Sequence, residues 1–321
     1  MTDLLKNPIF LDETKARDWL EARVWAKGRV CPHCGNTDQD KITKLEGKAH
    51  RPGVYQCNES ECREQFTVTV GTVFESSKIP LSKWLAALFL MTASKKGISA
   101  HQVHRMLGIS YKSTWFLMHR LREAMRTGGL EPLGGTGKVV EADEAYFGKA
   151  DTMHVSEQRR GRSYIKRGKY KNNRPIVTLV ERGGQARSFH VAVADQTKVT
   201  AIVRENVARE SRLHTDESKL YGGPIRVKRE SVNHSRGEYA RGDVTTNTVE
   251  SYFSLFKRGM RGTYQHCSEK HLHRYLAEFD FRYNNRIALG VDDTARADEL
   301  AKGIVGKRLT YRRPRQQDIP F

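Results

Sequence analysis

The chain has 321 residues, with 56 Lys and Arg against 37 Asp and Glu, a formal charge of +19 and a pI of about 9.8. Its longest apolar run is the eight residues Trp84–Met91, against the ~20 that a membrane span needs, and Met1–Phe10 lacks the basic start and apolar core of an export signal. Five cysteines in a chain of this length exclude a disulfide scaffold and point to two or three modest domains in a reducing compartment.

The first signal along the chain is helical, with Ala16, Trp19, Leu20 and Val24 at helical spacing. Cys31-Pro32-His33-Cys34-Gly35 follows as a knuckle, two thiols on a tight turn with Gly35 free to take positive φ. Cys57 and Cys62 form a second pair with four residues between them instead of two. Four cysteines in so short a stretch predict a closed tetrahedral Zn²⁺ site, which supplies folding energy to a segment with little core of its own. Four thiolates leave no open coordination position, so the zinc is structural. Cys267 stands apart and reads as a core residue.

Residues 80–126 read as helices. Ser99 caps one carrying Val103, Met106 and Leu107; Gly108 ends it; Ser110 caps a second with Thr114, Leu117, Met118, Leu121, Ala124 and Met125 on one face. The pair fits a helix-turn-helix presenting Tyr111, Lys112 and Ser113 to a major groove, and equally a helical hairpin that merely packs. After a Gly-rich linker near 128–137 the period changes to strands at 138–147, 176–181 and 187–193, the last two flanking Gly183-Gly184 as a hairpin turn. A helix at about 197–206, a short strand ending near His214, and helices near 247–258 and 269–286 complete the pattern. This is a mixed α/β class.

The surplus of charge is uneven. His154–Arg174 holds eight basic residues and one acid, with Arg159, Arg160 and Arg162 at its centre, and Lys302–Arg315 holds six and none. Tyrosines are interleaved in both stretches. Such runs suit a phosphate backbone and make nucleic acid the leading partner.

Three acids sit where chemistry could use them. Asp143 lies in the apolar strand Val139–Glu144, and Asp216 ends another strand. Glu250 lies on a helix whose apolar stripe is Val249, Tyr252, Phe253 and Phe256, beside a polar stripe of Asn247, Glu250, Ser254 and Lys257. Displacement at a phosphodiester needs an activated water or hydroxyl and charge relief on the leaving oxygen, and two Mg²⁺ ions about 4 Å apart provide both. Mg²⁺ takes oxygen ligands, so carboxylates from separate elements must converge. Glu141, Glu144, Glu217 and Glu238 compete for the same role on spacing alone.

In this arrangement the chain resembles bacterial insertion-sequence transposases with a zinc ribbon and an acidic-triad (DDE) catalytic domain, the ISXO-like group. The resemblance rests on Cys31–Gly35, Cys62–Phe74, Ser94–Ala100, Val140–Glu144, His214–Glu217, Asn247–Ser251 and Arg282-Tyr283-Asn284-Asn285-Arg286, in the family's order. It implies an RNase H-like core over 138–290, after an N-terminal helix and zinc ribbon (1–75) and a helical DNA-binding region (76–127), with a basic C-terminal tail (291–321). It implies Asp143 and Asp216 as the first two acids holding Mg²⁺ or Mn²⁺. At the third position the family uses Glu or Asn; Glu250 is chosen because a carboxylate binds Mg²⁺ better than an amide. Asn247 then stands beside it, and Lys257 and Arg258 meet DNA phosphate. The implied activity is binding of the terminal inverted repeats, metal-dependent cleavage of the ends, and strand transfer by a homodimer bridging paired ends of double-stranded DNA. The implied location is the bacterial cytoplasm, at the nucleoid. The alternatives are an inactive or domesticated DNA-binding copy, and an RNase H-like nuclease that never joins strands.

Overall fold

The computed structural model describes residues 6–126, 128, 130–149, 155–159, 162–165 and 173–310. The chain divides into two compact units, one built from the stretch up to residue 127 and again from Val291 onward, the other from Gly128–Gly290.

In the first unit, helix α1 (Glu13–Val24) starts at Asp12, whose carboxylate accepts the backbone N–H groups of Thr14 and Lys15 at 2.7 and 3.0 Å. This is the N-cap arrangement that satisfies otherwise orphaned donors. Strands β1 (Ile42–Leu45), β2 (Val54–Cys57) and β3 (Gln65–Phe66) form a small antiparallel sheet. Its core is only Cys31, Ile42, Tyr55, Cys57 and Phe66, with Trp25 edge-on to Tyr55. Helix α2 (Leu81–Ala93) buries Leu81, Trp84, Leu85, Leu88 and Met91, so it is the central helix of the unit. Helices α3 (Ala100–Leu107) and α4 (Tyr111–Met125) are capped by Ser99 and Ser110, as their sequences predict. Gly108 ends α3 at φ +60°, and a Cβ there would meet nothing within 4 Å. Gly108→Ala is therefore expected to lower stability by about 1–2 kcal/mol, the backbone cost of a left-handed residue alone. Denaturant unfolding of the full chain measures it.

In the second unit, β4 (Val139–Lys149), β5 (Val155–Arg159), β6 (Arg162–Ile165), β7 (Asn173–Glu181) and β8 (Ala186–His190) precede helix α5 (Gln196–Asn206). Strands β9 (Arg212–Thr215) and β10 (Lys228–Ser231) and helices α6 (Asn247–Gly259) and α7 (Glu269–Asn284) follow. Five strands form one sheet in the order β10-β9-β4-β7-β8. β4, β7 and β8 are antiparallel neighbours, whereas β9 and β10 run parallel to β4. The β7–β8 turn is the predicted Gly183-Gly184, with Gly183 at φ +70°. One sheet face packs Val140, Ala142, Val177, Leu179 and Leu213 against α5. The other packs Ala145, Ile176, Val180 and Ala186 against α6 and α7. Central strands covered on both faces need apolar residues in both phases, which explains the apolar density of Asn173–Glu181. Cys267 is buried in the α6–α7 core.

Within the basic run 154–174, β5 and β6 pair as antiparallel strands. One expectation needs correction. The segment taken as a basic tail from 291 contains helix α8 (Asp293–Lys302), capped by Asp292, with Ala297, Leu300 and Ala301 buried. Arg296 is buried with them and donates to the Thr92 carbonyl at 3.0 Å, while Arg23 Nε reaches Asp298 at 2.6 Å. The apolar stripe is short and interrupted by charges, so composition hides it. Among the described residues no helix is long and apolar enough to cross a membrane.

Candidate active site and metal centre

Along β4 the side chains alternate, so Glu141 and Asp143 share the phase that faces α6. α6 turns the other way: Val249, Tyr252, Phe253 and Phe256 are buried, which leaves Glu250, Ser254 and Lys257 along its polar flank. Asp143 and Glu250 consequently line one open cleft of about 590 Å³, with Phe253, Ser254, Lys257, Arg258 and Arg261. Asp216 directly follows β9, which pairs with β4 in parallel. It is not among the residues lining the cleft, but its charge reaches Asp143.

The electrostatics are those of crowded carboxylates. Burial, then the charges of Glu144, Asp216 and Glu250, pushes Asp143 up from an ordinary 3.8 to about 7. Burial likewise raises Asp216 and Glu144. Two backbone donors partly offset this: Glu144 N–H to Asp143 Oδ1 at 2.8 Å and Ser218 N–H to Asp216 Oδ1 at 3.0 Å. Glu250 is half exposed, accepts Thr246 Oγ1 at 2.8 Å and lies 3.9 Å from His234 Nε2. Crowded like charges with hard oxygen donors are a costly arrangement that a divalent cation relieves, and their chemistry suits Mg²⁺ or Mn²⁺; among the described residues, however, only the four cysteines gather their donor atoms within 4.8 Å of one another.

The competing acids separate by their partners. Glu217 is taken up by the N–H groups of His234 and Ser235, at 3.0 and 3.1 Å. Glu238 accepts the N–H of Asn233. Glu141 is bonded to the start of α6. Glu144 stays beside the cluster, on the other strand phase, where it accepts Ser218 Oγ at 3.2 Å, and the charge of Glu217 still bears on neighbouring Asp216. Asn247 is exposed in the first turn of α6 and does not line the cleft. Arg261 was missed by sequence reading. It falls one step further along the polar stripe, where the helix ends in a π turn over Met260–Tyr264.

Tyr111, Lys112 and Ser113 are exposed at the start of α4, the Tyr111 ring stacked on His101 at 4.1 Å. Arg159 and Arg162 fall within β5 and β6, and Arg160 lies outside the described residues.

The four cysteines converge. Cys31 and Cys62 sulfurs are 3.7 Å apart, as are those of Cys34 and Cys57, and all four lie within 4.8 Å of one another. Zn–S bonds of about 2.3 Å place tetrahedral sulfurs about 3.8 Å apart, so the cluster fits zinc. The longer second knuckle is accommodated by a turn in which Cys62 and Arg63 N–H groups both bond Glu59 O, with Arg63 at φ +53°. Gly35 takes the first knuckle at φ +77°.

The chain thus joins a four-thiol ribbon to a mixed sheet that carries an acid cleft. Residues 132–284 match the family described as the ISXO2-like transposase domain, and residues 11–65 match the transposase zinc-ribbon domain. The chain belongs to this family of insertion-sequence transposases. It is 28% identical over 282 residues to a protein in the transposable element ISH50 of Halobacterium salinarum, covering 85% of this chain and 91% of that one. Among solved structures it overlaps a Mos1 transposase paired-end complex with the left transposon end, at 12% identity and TM-score 0.28, over 68% of this chain and 74% of that one. A pre-cleavage Mos1 transpososome overlaps at 8% identity and TM-score 0.18, over 64% and 78%. These scores are too low to bear on the argument.

Proposed function

We propose that this transposase cleaves the terminal inverted repeats of its own element and joins the freed 3′-hydroxyls to target DNA, with Asp143 and Glu250 in its catalytic cleft and Asp216, beside the cleft, as the third acid. The observation that carries this reading is the Asp143–Glu250 cleft walled by Lys257, Arg258 and Arg261: carboxylates for cations, and cations for phosphates. Bound Mg²⁺ or Mn²⁺ would supply charge relief at the phosphoryl and leaving oxygens. Asp143 on β4, Asp216 just past β9 and Glu250 on α6 would hold it, and the stiffness of strand and helix would keep their oxygens fixed while DNA strands exchange. Lys257, Arg258 and Arg261 orient the backbone so that the attacking hydroxyl and the departing oxygen lie in line. Tyr111, Lys112 and Ser113 meet the element end, and a homodimer brings two ends together.

The test is strand transfer on paired inverted-repeat DNA with Mg²⁺ or Mn²⁺. Joined product supports the reading. Nicked but unjoined product identifies a nuclease, and tight end-binding without cleavage under either metal identifies an inactive copy. A separate expectation concerns Lys112. Lys112→Ala should weaken element-end binding and reduce the slope of log K against log salt by about 0.9, the signature of one lost phosphate contact. Fluorescence anisotropy at several salt concentrations reads both.

A further inference from the structure

Glu141 is a fully buried carboxylate two residues before Asp143 on the same face of the same strand, and it touches no part of the acid cleft. Its oxygens are occupied by the start of α6. Oε2 accepts the backbone N–H groups of Thr248 and Val249 at 2.7 and 3.1 Å, and Oε1 accepts Thr248 Oγ1 at 2.9 Å. The helix has no cap of its own, since Thr246 makes no side-chain cap bond. Glu141 therefore serves as its N-cap from another element, and as an anion it also meets the positive end of the helix dipole. Arg182, just past the end of β7, neutralises it with Nε 2.6 Å from Oε1. The same guanidinium binds the approach to the helix, through Asp243 O at 2.8 Å, Thr245 O at 3.2 Å and Thr245 Oγ1 at 2.9 Å.

We infer that Glu141 is a positioning residue for the metal site: it locks the first turn of α6 onto β4 and so sets the distance between Asp143 and Glu250. The geometry leaves little freedom. Asp143 is two residues along the strand from the clamp, and Glu250 is two residues along the helix from Thr248. Strand and helix are each stiff over that length, so the two acids are held as the ends of a short caliper whose pivot is Glu141. Arg182 is shared between the pivot and the loop that delivers the helix, which prevents the turn from sliding. The inference rests on the proposed roles of Asp143 and Glu250.

The experiment uses the full-length, zinc-loaded chain and Mn²⁺ alone as probe, with binding followed by electron paramagnetic resonance. Four proteins are compared: the parent, Asp143→Asn, Glu141→Gln and Thr248→Val. Asp143→Asn identifies the Mn²⁺ signal of the cleft by abolishing it. If it binds as the parent does, the proposed site has failed, and the inference falls with it for that separate reason. With the site so identified, Glu141→Gln should bind Mn²⁺ about 10-fold more weakly or worse, the usual loss when a residue that orients metal ligands is changed. The metal concentration for half-maximal cleavage should rise correspondingly, with much of the rate restored at saturating metal. A merely structural role would instead lower the fraction of active protein and leave that midpoint unchanged. Thr248→Val removes one of the three bonds and keeps the apolar packing, so it carries the test if Glu141→Gln does not fold; a several-fold weakening is expected. Parent-like Mn²⁺ affinity in a folded Glu141→Gln or, failing that, Thr248→Val overturns the inference.

Discussion

Asp143→Asn and Asp216→Asn are each expected to lower end cleavage and strand transfer by about a thousandfold or more, the scale on which a fixed electrostatic group at a phosphoryl centre contributes. Binding to element-end DNA should persist, because the ribbon and the α3–α4 pair are untouched. Asp143→Asn should also change stability in a way tied to pH. Asp143 titrates near 7 in the folded chain against an ordinary 3.8, so folding favours its protonated form. The favourable contribution is complete below about pH 4 and is lost as pH rises through 7, amounting to at most about 4 kcal/mol. Asparagine has no charge to bury. In magnesium-free buffer that leaves the zinc in place, the variant should thus match the parent near pH 4 and melt at a higher temperature at pH 8. Added Mg²⁺ should narrow the difference by neutralising the parent's carboxylates. A parent and variant whose melting temperatures differ equally at pH 4 and pH 8 would contradict the burial of this charge, and a variant that still joins strands would remove Asp143 from the chemistry.

Cys31→Ser is expected to unfold the ribbon. The five side chains of its core include two of the thiols themselves, Cys31 and Cys57, so little apolar burial remains without the metal. Zinc contributes about 10–16 kcal/mol to folding in isolated fingers, far more than so small a core supplies. The expected results are one zinc per parent chain by metal analysis, none in the variant, rapid proteolysis within residues 11–65 and loss of element-end binding. The second unit, with its own two cores on either face of the sheet, should keep its proteolytic resistance. A variant that retains the ribbon would show that the segment folds on packing alone.

Much of this was legible in the sequence because it is local. Helix caps at Ser99 and Ser110, the turn at Gly183-Gly184 and the apolar and polar stripes of α6 depend on residues within one or two turns of one another. The knuckle at Cys31–Cys34 is likewise local, and confinement of all four thiols to one segment made their convergence readable. The strand pair β5–β6 and helix α8 were not legible. In both, charged residues outnumber the apolar ones that define a period, and α8 is stabilised by burial against partners nearly the whole chain away, such as Thr92.

The acids divide along the same line. Seven carboxylates competed for the cleft, and their spacing could not rank them, since a carboxylate that caps a helix and one that faces a cation look alike in sequence. Their partners separate them: Glu141 is consumed by the N–H groups of α6 and Glu217 by the turn at His234 and Ser235. The amino-acid order alone pointed to most of the helices, the central strands, the four zinc thiols and the family, because each follows from short-range periodicity or from motifs in register. Tertiary structure decided which charges meet, because hydrogen bonds and burial between separate segments, 17 residues apart for Glu217 and 107 for Glu141, assign these carboxylates their neighbours, and no periodic pattern encodes that pairing.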